Sequence, residues 1–262
     1  MKKINIKTFL FYLIVIIFVI LCCYYFKIRI DNAKKYSEVL IDEITVKDCL
    51  LYILGGIAKV KDVEDKNLKI PFIWFTLQLF ILTTGYYAPF INNSIKDEWN
   101  LIKSNSRRQY IICQVRNAIV NVSIIYICVC IGVIIYTTYN GMNYCGVHYD
   151  YFLHICGVKV KKDIGLWILI CPWIYGIFEV VMQLFLNIYV GRVLSIAFIL
   201  SYNILCVYIT SPFLLGNLSM LFRNSFIVER GCEITLGIIV AIVISIIAVY
   251  ESIRKFNYMD IL

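Results

Sequence analysis

The sequence predicts an all-α polytopic membrane protein, and three observations carry that reading. Of the 262 residues, 61% are apolar, against about 45–50% in an ordinary soluble domain. Only 16% are charged, against about 25%, and the mean hydropathy is +0.80. The apolar residues also gather into six runs, each long enough for a helix to cross a hydrocarbon core of roughly 30 Å. A soluble globule cannot hide so much apolar surface beneath so few polar groups. The same figures exclude a cytosolic enzyme, a disordered chain and a disulfide-stapled secreted domain. A membrane barrel would need alternating segments of about ten residues, and the runs do not alternate.

The first run, 9–26, carries no charge and follows Lys2, Lys3 and Lys7. No small-x-small cleavage site follows it, so it reads as an uncleaved anchor. Residues 27–70 are too polar to span and form an outer loop. Within it Tyr36, Leu40 and Ile44 recur every four residues, which predicts an amphipathic helix. Thr45-x-x-Asp48 predicts a capping box before 49–54, and Gly55-Gly56 a stop. The expected product is a small helical extracytoplasmic cap after span one. The second run is 71–91. In the segment 92–116 that follows it, Ile95, Trp99 and Ile102 continue from Ile91 at i+4, i+8 and i+11, one apolar stripe on a helix. Ser94-x-x-Asp97 offers an N-terminal cap. Lys96, Asp97, Glu98 and Lys103 take the other faces, and Ser104-Asn105-Ser106 ends the helix before Arg107 and Arg108. Such a helix either lies in the interface or docks a cytoplasmic partner. The remaining runs are 117–139; 164–189, broken by Pro172; 193–215, ending near Pro212; and 234–250. The whole chain, 1–262, reads as one transmembrane domain.

The net charge of +8 fits Lys and Arg flanking spans beside anionic headgroups. No basic face lies outside the membrane-adjacent loops, so nucleic acid is not an expected partner. With the N-terminus inside, 11 Lys and Arg fall inside and 14 outside. Nine of those 14 sit in the 27–70 loop among eight acids; without that loop the count is 11 inside to 5 outside. That favours both termini in the cytoplasm and a multi-pass protein of the cell membrane.

The chain has no P-loop, no Gly-x-Ser-x-Gly and no His-Glu-x-x-His, so it is not expected to be an enzyme or to need a cofactor. Cys145, His148, His154 and Cys156 are of metal-ligating type, but their spacing matches no common zinc finger. A Cys145–Cys156 disulfide is an alternative if the loop is outside, as is a loop with incidental Cys and His. Glu179 is the one carboxylate inside a run. An acid near mid-bilayer costs a few kcal/mol, so it calls for a partner, a wet cavity or a proton. Gln183 and Asn187 follow at i+4 and i+8, making one polar stripe. Glu179 and Asn203 are each 12 residues from Gly191; Asn187 and Ser195 are each 4 away. In a tight helical hairpin these pairs sit at matching depths, roughly 18 Å and 6 Å from the turn. Whether the stripes face one another is left open, as is the choice between packing glue and a substrate pathway or protomer interface.

The segment Asp97-Glu98-Trp99…Ser106-Arg107…Gln114-Val115-Arg116-Asn117 resembles the region after the second span of type-2 ABC transporter permeases. There an acid precedes a Ser-Arg pair, and a basic residue stands at the foot of span three. Arg116 stands here for the usual lysine, and Trp99-Asn100 for the Gly-Thr that often follows the acid. Thr210-Ser211-Pro212 before a partly apolar outer loop, and the tail from Arg254 to Leu262, are similar to features of the same family. The resemblance implies a permease subunit that pairs with a second protomer, as a homodimer or heterodimer, and receives a cytoplasmic ATP-binding subunit at a coupling helix, 92–106. Ile95, Asp97, Glu98, Trp99, Ile102, Arg107 and Arg116 would carry that coupling, and Glu179, Gln183, Asn187 and Asn203 the pathway or interface. It further implies an exporter, with an antimicrobial or amphipathic peptide as the expected cargo. The competing readings are a non-transporting membrane scaffold or sensor/immunity protein and, less favoured, an intramembrane enzyme.

Overall fold

The computed structural model describes residues 6–36, 44–58, 70–86, 106–142, 152, 156–161, 165–211, 213–229 and 231–258. Its helices are α1 (Ile6–Tyr36), α2 (Val46–Leu54), α3 (Phe72–Tyr86), α4 (Arg107–Tyr139), α5 (Trp167–Val190), α6 (Arg192–Tyr208), α7 (Gly216–Ser219) and α8 (Thr235–Tyr258), with a 3₁₀ turn at Leu221–Arg223. Among the described residues no strand forms; Val160↔Val228 and Asn224↔Cys232 are isolated bridges. Each of the six apolar runs contains a helix. Four of these (α1, α4, α5 and α8) are long and apolar enough to cross a membrane, and α3 and α6 are shorter apolar helices.

The bundle is apolar outside as well as inside. Ile14, Ile17 and Leu21 on α1, Ile127 and Ile134 on α4, and Ile239, Ile242 and Ile246 on α8 are all exposed. A soluble protein rarely leaves apolar patches of that extent in contact with water, whereas a bilayer accepts them. At the centre, α5 packs against α3, α4, α6, α7 and α8 and is the most buried of the four long helices. Pro172 sits inside α5, where a proline removes one helical N–H donor. The Tyr126 hydroxyl on α4 donates to the Pro172 carbonyl at 2.7 Å.

The two ends of the bundle differ. Tyr12 donates to Asn121 Oδ1 (3.2 Å) and Lys27 to Asn140 Oδ1 (3.0 Å), so α1 and α4 run parallel. Arg107, at the start of α4, donates from Nη1 to the carbonyl of Asn257 at 2.9 Å, and Lys255 lies 5.7 Å from the centre of the Tyr189 ring. The starts of α1 and α4, the α5–α6 turn and the end of α8 therefore meet at one end. At the other end α2, 156–161 and 213–232 form a cap. There Phe222 N–H donates to the Gly55 carbonyl (2.9 Å), Lys161 N–H to that of Ile227 (2.7 Å) and Cys232 N–H to that of Arg223 (2.7 Å).

The helix bounds differ from the sequence expectation for identifiable reasons. Ser106 starts a helix: its hydroxyl accepts from Gln109 N–H, so α4 begins ten residues before 117, and the helix expected over 92–106 lies outside the described residues save for Ser106. The fifth run was expected to stay helical to 215, but α6 stops at Tyr208. Pro212 disfavours helical geometry in the residue before it, and the chain turns into α7 instead. α1 extends past the hydrocarbon-length segment to Tyr36, and α8 past 250 to Tyr258. Tyr36 and Ile44 do not share a helix, since Tyr36 ends α1 and Ile44 precedes α2; Leu40 lies outside the described residues. The Thr45–Asp48 capping box is present, with Thr45 N–H donating to Asp48 Oδ2 at 3.0 Å and Asp48 N–H to Thr45 Oγ1 at 3.3 Å. Gly56 ends that segment with φ +69°, a conformation that glycine adopts without a steric penalty.

Candidate functional site

The α5–α6 hairpin turns at Gly191, whose φ of +84° lets the second helix start at the next residue. The resulting antiparallel pair brings both matching-depth pairs together. Asn203 Nδ2 donates to Glu179 Oε1 at 2.6 Å. Nearer the turn, the Ser195 hydroxyl lies within hydrogen-bond reach of both Asn187 Oδ1 and the Arg192 carbonyl, the latter at 2.8 Å. The polar stripes of the two helices therefore face each other, the point left open by spacing alone.

Glu179 is 1% exposed, and its second oxygen is also used. With the Gln78 amide nitrogen turned toward it, Gln78 on α3 donates to Glu179 Oε2 at 2.6 Å, and its own oxygen accepts from Trp74 Nε1 at 3.1 Å. Trp74 Nε1 also lies 3.0 Å from Ser219 Oγ on α7, and Ser219 donates to the Gly216 carbonyl at 2.8 Å. On the other side the Tyr175 hydroxyl donates to Asn203 Oδ1. One continuous network thus ties α3, α5, α6 and α7 together in the interior. Each oxygen of the Glu179 carboxyl meets an amide N–H.

Toward the Gly191 turn the stripe changes character. Gln183 is fully buried, and among the described residues neither its Nε2 nor its Oε1 has a partner; Asn187 Nδ2 is likewise unpaired there. The Gln183 amide abuts Gly85 on α3, so a side chain there would displace it. Polar atoms buried without partners cost about 1–3 kcal/mol each.

Sequence reasoning named Glu179, Gln183, Asn187 and Asn203, and missed Gln78, Trp74, Tyr175 and Ser219. Two of these carried a signal. Gln78 is the one amide within α3, and Tyr175 stands one helical turn before Glu179, on the same face. Arg223 was also missed, having been counted only as an outer-loop charge. It is 2% exposed and donates from Nη1 to the Cys206 carbonyl and Asn217 Oδ1, both at 2.6 Å. It donates from Nη2 to the Val207 carbonyl (2.6 Å) and from Nε to that of Ile57 (3.0 Å). The guanidinium thus closes the C-terminal end of α6, where helical carbonyls lack intrahelical donors. Burial lowers its pKa to about 10, which leaves it charged at neutral pH.

Of the expected coupling residues, Arg107 and Arg116 are described. Arg107 contacts the end of α8, and Arg116 Nη2 lies 3.6 Å from Cys113 Sγ on its own helix. Ile95, Asp97, Glu98, Trp99 and Ile102 lie outside the described residues, as do Cys145, His148 and His154. Among the described residues no group of three His, Cys, Asp or Glu is arranged to hold a metal. No family model, curated protein or solved structure matches the chain.

Proposed function

We propose that the chain is the membrane-spanning permease subunit of an ATP-driven ABC exporter. In this reading all six apolar helices span, both termini are cytoplasmic, and a second protomer completes the pathway. A separate ATP-binding subunit docks on 92–106, and the cargo is an amphipathic peptide. The observation that carries it is the gathering of the Ser106-Arg107 pair, the α5–α6 turn and the end of α8 at one end of the bundle. That end bears Lys7, Arg107, Arg108, Arg192, Arg254 and Lys255 against Glu251 among the described residues, as a cytoplasmic face should. A moving ATPase pressing on the segment before Ser106 would push on α4 and, through the Arg107 clasp, on α8.

The buried stripe divides into two roles under this reading. Glu179 and Asn203 are saturated with partners and hold helices together. Among the described residues Gln183 keeps an unpaired amide and Asn187 an unpaired amide nitrogen, and these supply the polar contacts of a pathway or protomer interface.

Co-purification tests the proposal. A stable complex with an ATPase, whose activity falls on Glu98→Ala, Trp99→Ala or Arg107→Ala, is the expected result. Recovery of the folded protein with no ATPase would abandon transport in favour of a non-transporting membrane scaffold.

A further inference from the structure

A cavity of about 590 Å³ opens between α1, α2 and α3 below the cap, within the 300–1,000 Å³ range of small-molecule sites. Its α1 wall is Phe18, Leu21, Cys22, Tyr25 and Arg29, spaced i, i+3, i+4, i+7 and i+11, a single helical stripe. Leu21 and Tyr25, and Phe72 on the α3 side, are exposed, so the cavity opens sideways, toward where acyl chains would lie. Arg29 is its one charged lining residue among those described. The guanidinium is hydrogen-bonded to Tyr52 on α2. Burial raises the Tyr52 phenol above its ordinary pKa and the Cys156 thiol to about 11, so both stay neutral and the site is cationic at neutral pH.

Length and charge select the occupant. Phe18 and Arg29 are separated by eleven helical steps, roughly 16 Å, about half of the ~30 Å hydrocarbon core. Arg29 lies just beyond the uncharged run that ends at Phe26, at headgroup depth. We propose that this cavity is a binding site for one anionic phospholipid of the cap-side leaflet, with its phosphate on Arg29 and an acyl chain running down the α1 stripe toward Phe18 and Trp74. The inference is independent of the transport reading, since it needs only a helical bundle in a bilayer.

Trp74 lines the cavity and supplies the readout. The full chain with Trp99→Phe, Trp167→Phe and Trp173→Phe keeps Trp74 as the single tryptophan. It is reconstituted in phosphatidylcholine vesicles containing a small fraction of chain-brominated phosphatidylglycerol or of chain-brominated phosphatidylcholine. Brominated phosphatidylglycerol should quench Trp74 with about fivefold higher apparent affinity, the factor expected for about 1 kcal/mol from one basic residue at a membrane surface. Arg29→Gln should abolish the preference, and Arg29→Lys should keep most of it. Native mass spectrometry of the unsubstituted protein should show one phosphatidylglycerol retained after delipidation. Equal quenching by the two lipids, an unchanged preference in Arg29→Gln, or no quenching at all would each overturn the proposal. The comparison of lipids on the Arg29 protein stands even if Arg29→Gln does not fold.

Discussion

Arg223 shows how much one side chain can hold at the edge of a membrane bundle. Its four hydrogen bonds reach three backbone carbonyls and one amide oxygen, from the end of α6, from 57 and from 217. Arg223→Met should therefore destabilise the protein by about 3 kcal/mol or more, since several buried acceptors lose their donor at once. Arg223→Lys should recover little of this, because an ammonium cannot reproduce the planar fork. Denaturant unfolding in detergent micelles reads both; a Met variant within about 0.5 kcal/mol of the parent would contradict the assignment. Glu179 makes a second case. Glu179→Ala leaves the Asn203 and Gln78 amides without an acceptor and should cost about 2 kcal/mol, with the lower end favoured inside a bilayer. Glu179→Gln keeps the shape and one acceptor and should cost less than about 1 kcal/mol, read by the same unfolding experiment. If transport and assembly both survive the alanine change, Glu179 is a packing residue alone. The Glu179–Asn203 pairing was half legible in the sequence, since equal distance from Gly191 gives equal depth but not facing. Rotation about each helix axis is decided by the whole packed surface, and a list of spacings does not contain it.

Close approach between elements is set by small residues. Gly132 on α4 faces α1, and a Cβ there would press on the Val19 side chain and the Ile16 carbonyl. Small residues at such crossings let membrane helices pack closely. Gly132→Leu should separate α1 from α4 and cost roughly 1–3 kcal/mol by overpacking; a matched Val19→Ala should restore part of it in a double-mutant cycle. A melting curve for the double variant no better than for Gly132→Leu alone would show that the strain lies elsewhere. Local chemistry made several elements readable in advance. The Thr45–Asp48 box works because its two groups are three residues apart, and the Pro172-broken run still forms one helix. The end of α6 was not readable, because two of its terminal carbonyls are satisfied by Arg223, a residue fifteen positions beyond the helix. The start of α4 lies ten residues ahead of the apolar run for a local reason: Ser106, the last member of a serine-rich stretch, is an N-cap. At the capping box of α2, Thr45→Ala should cost about 1 kcal/mol and unfold α2 before the long helices, seen as earlier loss of amide protection at 46–54 than at 235–258.

The whole molecule makes a claim about sidedness that no single element makes. The two ends of the bundle differ in acid: among the described residues one collects Lys7, Arg107, Arg108, Arg192, Arg254 and Lys255 beside Glu251, while the cap end mixes Lys27, Arg29, Lys34, Lys47, Lys159, Lys161 and Arg223 with Asp31, Asp48, Glu229 and Glu233. Lys159 and Glu229 pair there at 2.9 Å. A raw count over the sequence points the wrong way, because the 27–70 loop carries many bases among many acids; grouped by end, the described bases are near parity and the acids gather at the cap. The permease reading, with both termini in the cytoplasm, requires the cap to face outward. Cys49 is a poor probe of this, being fully buried, as are several of the other native cysteines. Single cysteines at exposed sites in a cysteine-free background serve better. Glu229→Cys should react with a membrane-impermeant maleimide in intact cells, and Arg254→Cys only after permeabilisation. The reverse pattern would place the Ser106-Arg107 end outside, beyond the reach of any cytoplasmic ATPase, and would remove the permease reading and the topology together. Labelling of both sites in intact cells would mean that α8, the one helix between them, does not cross the membrane.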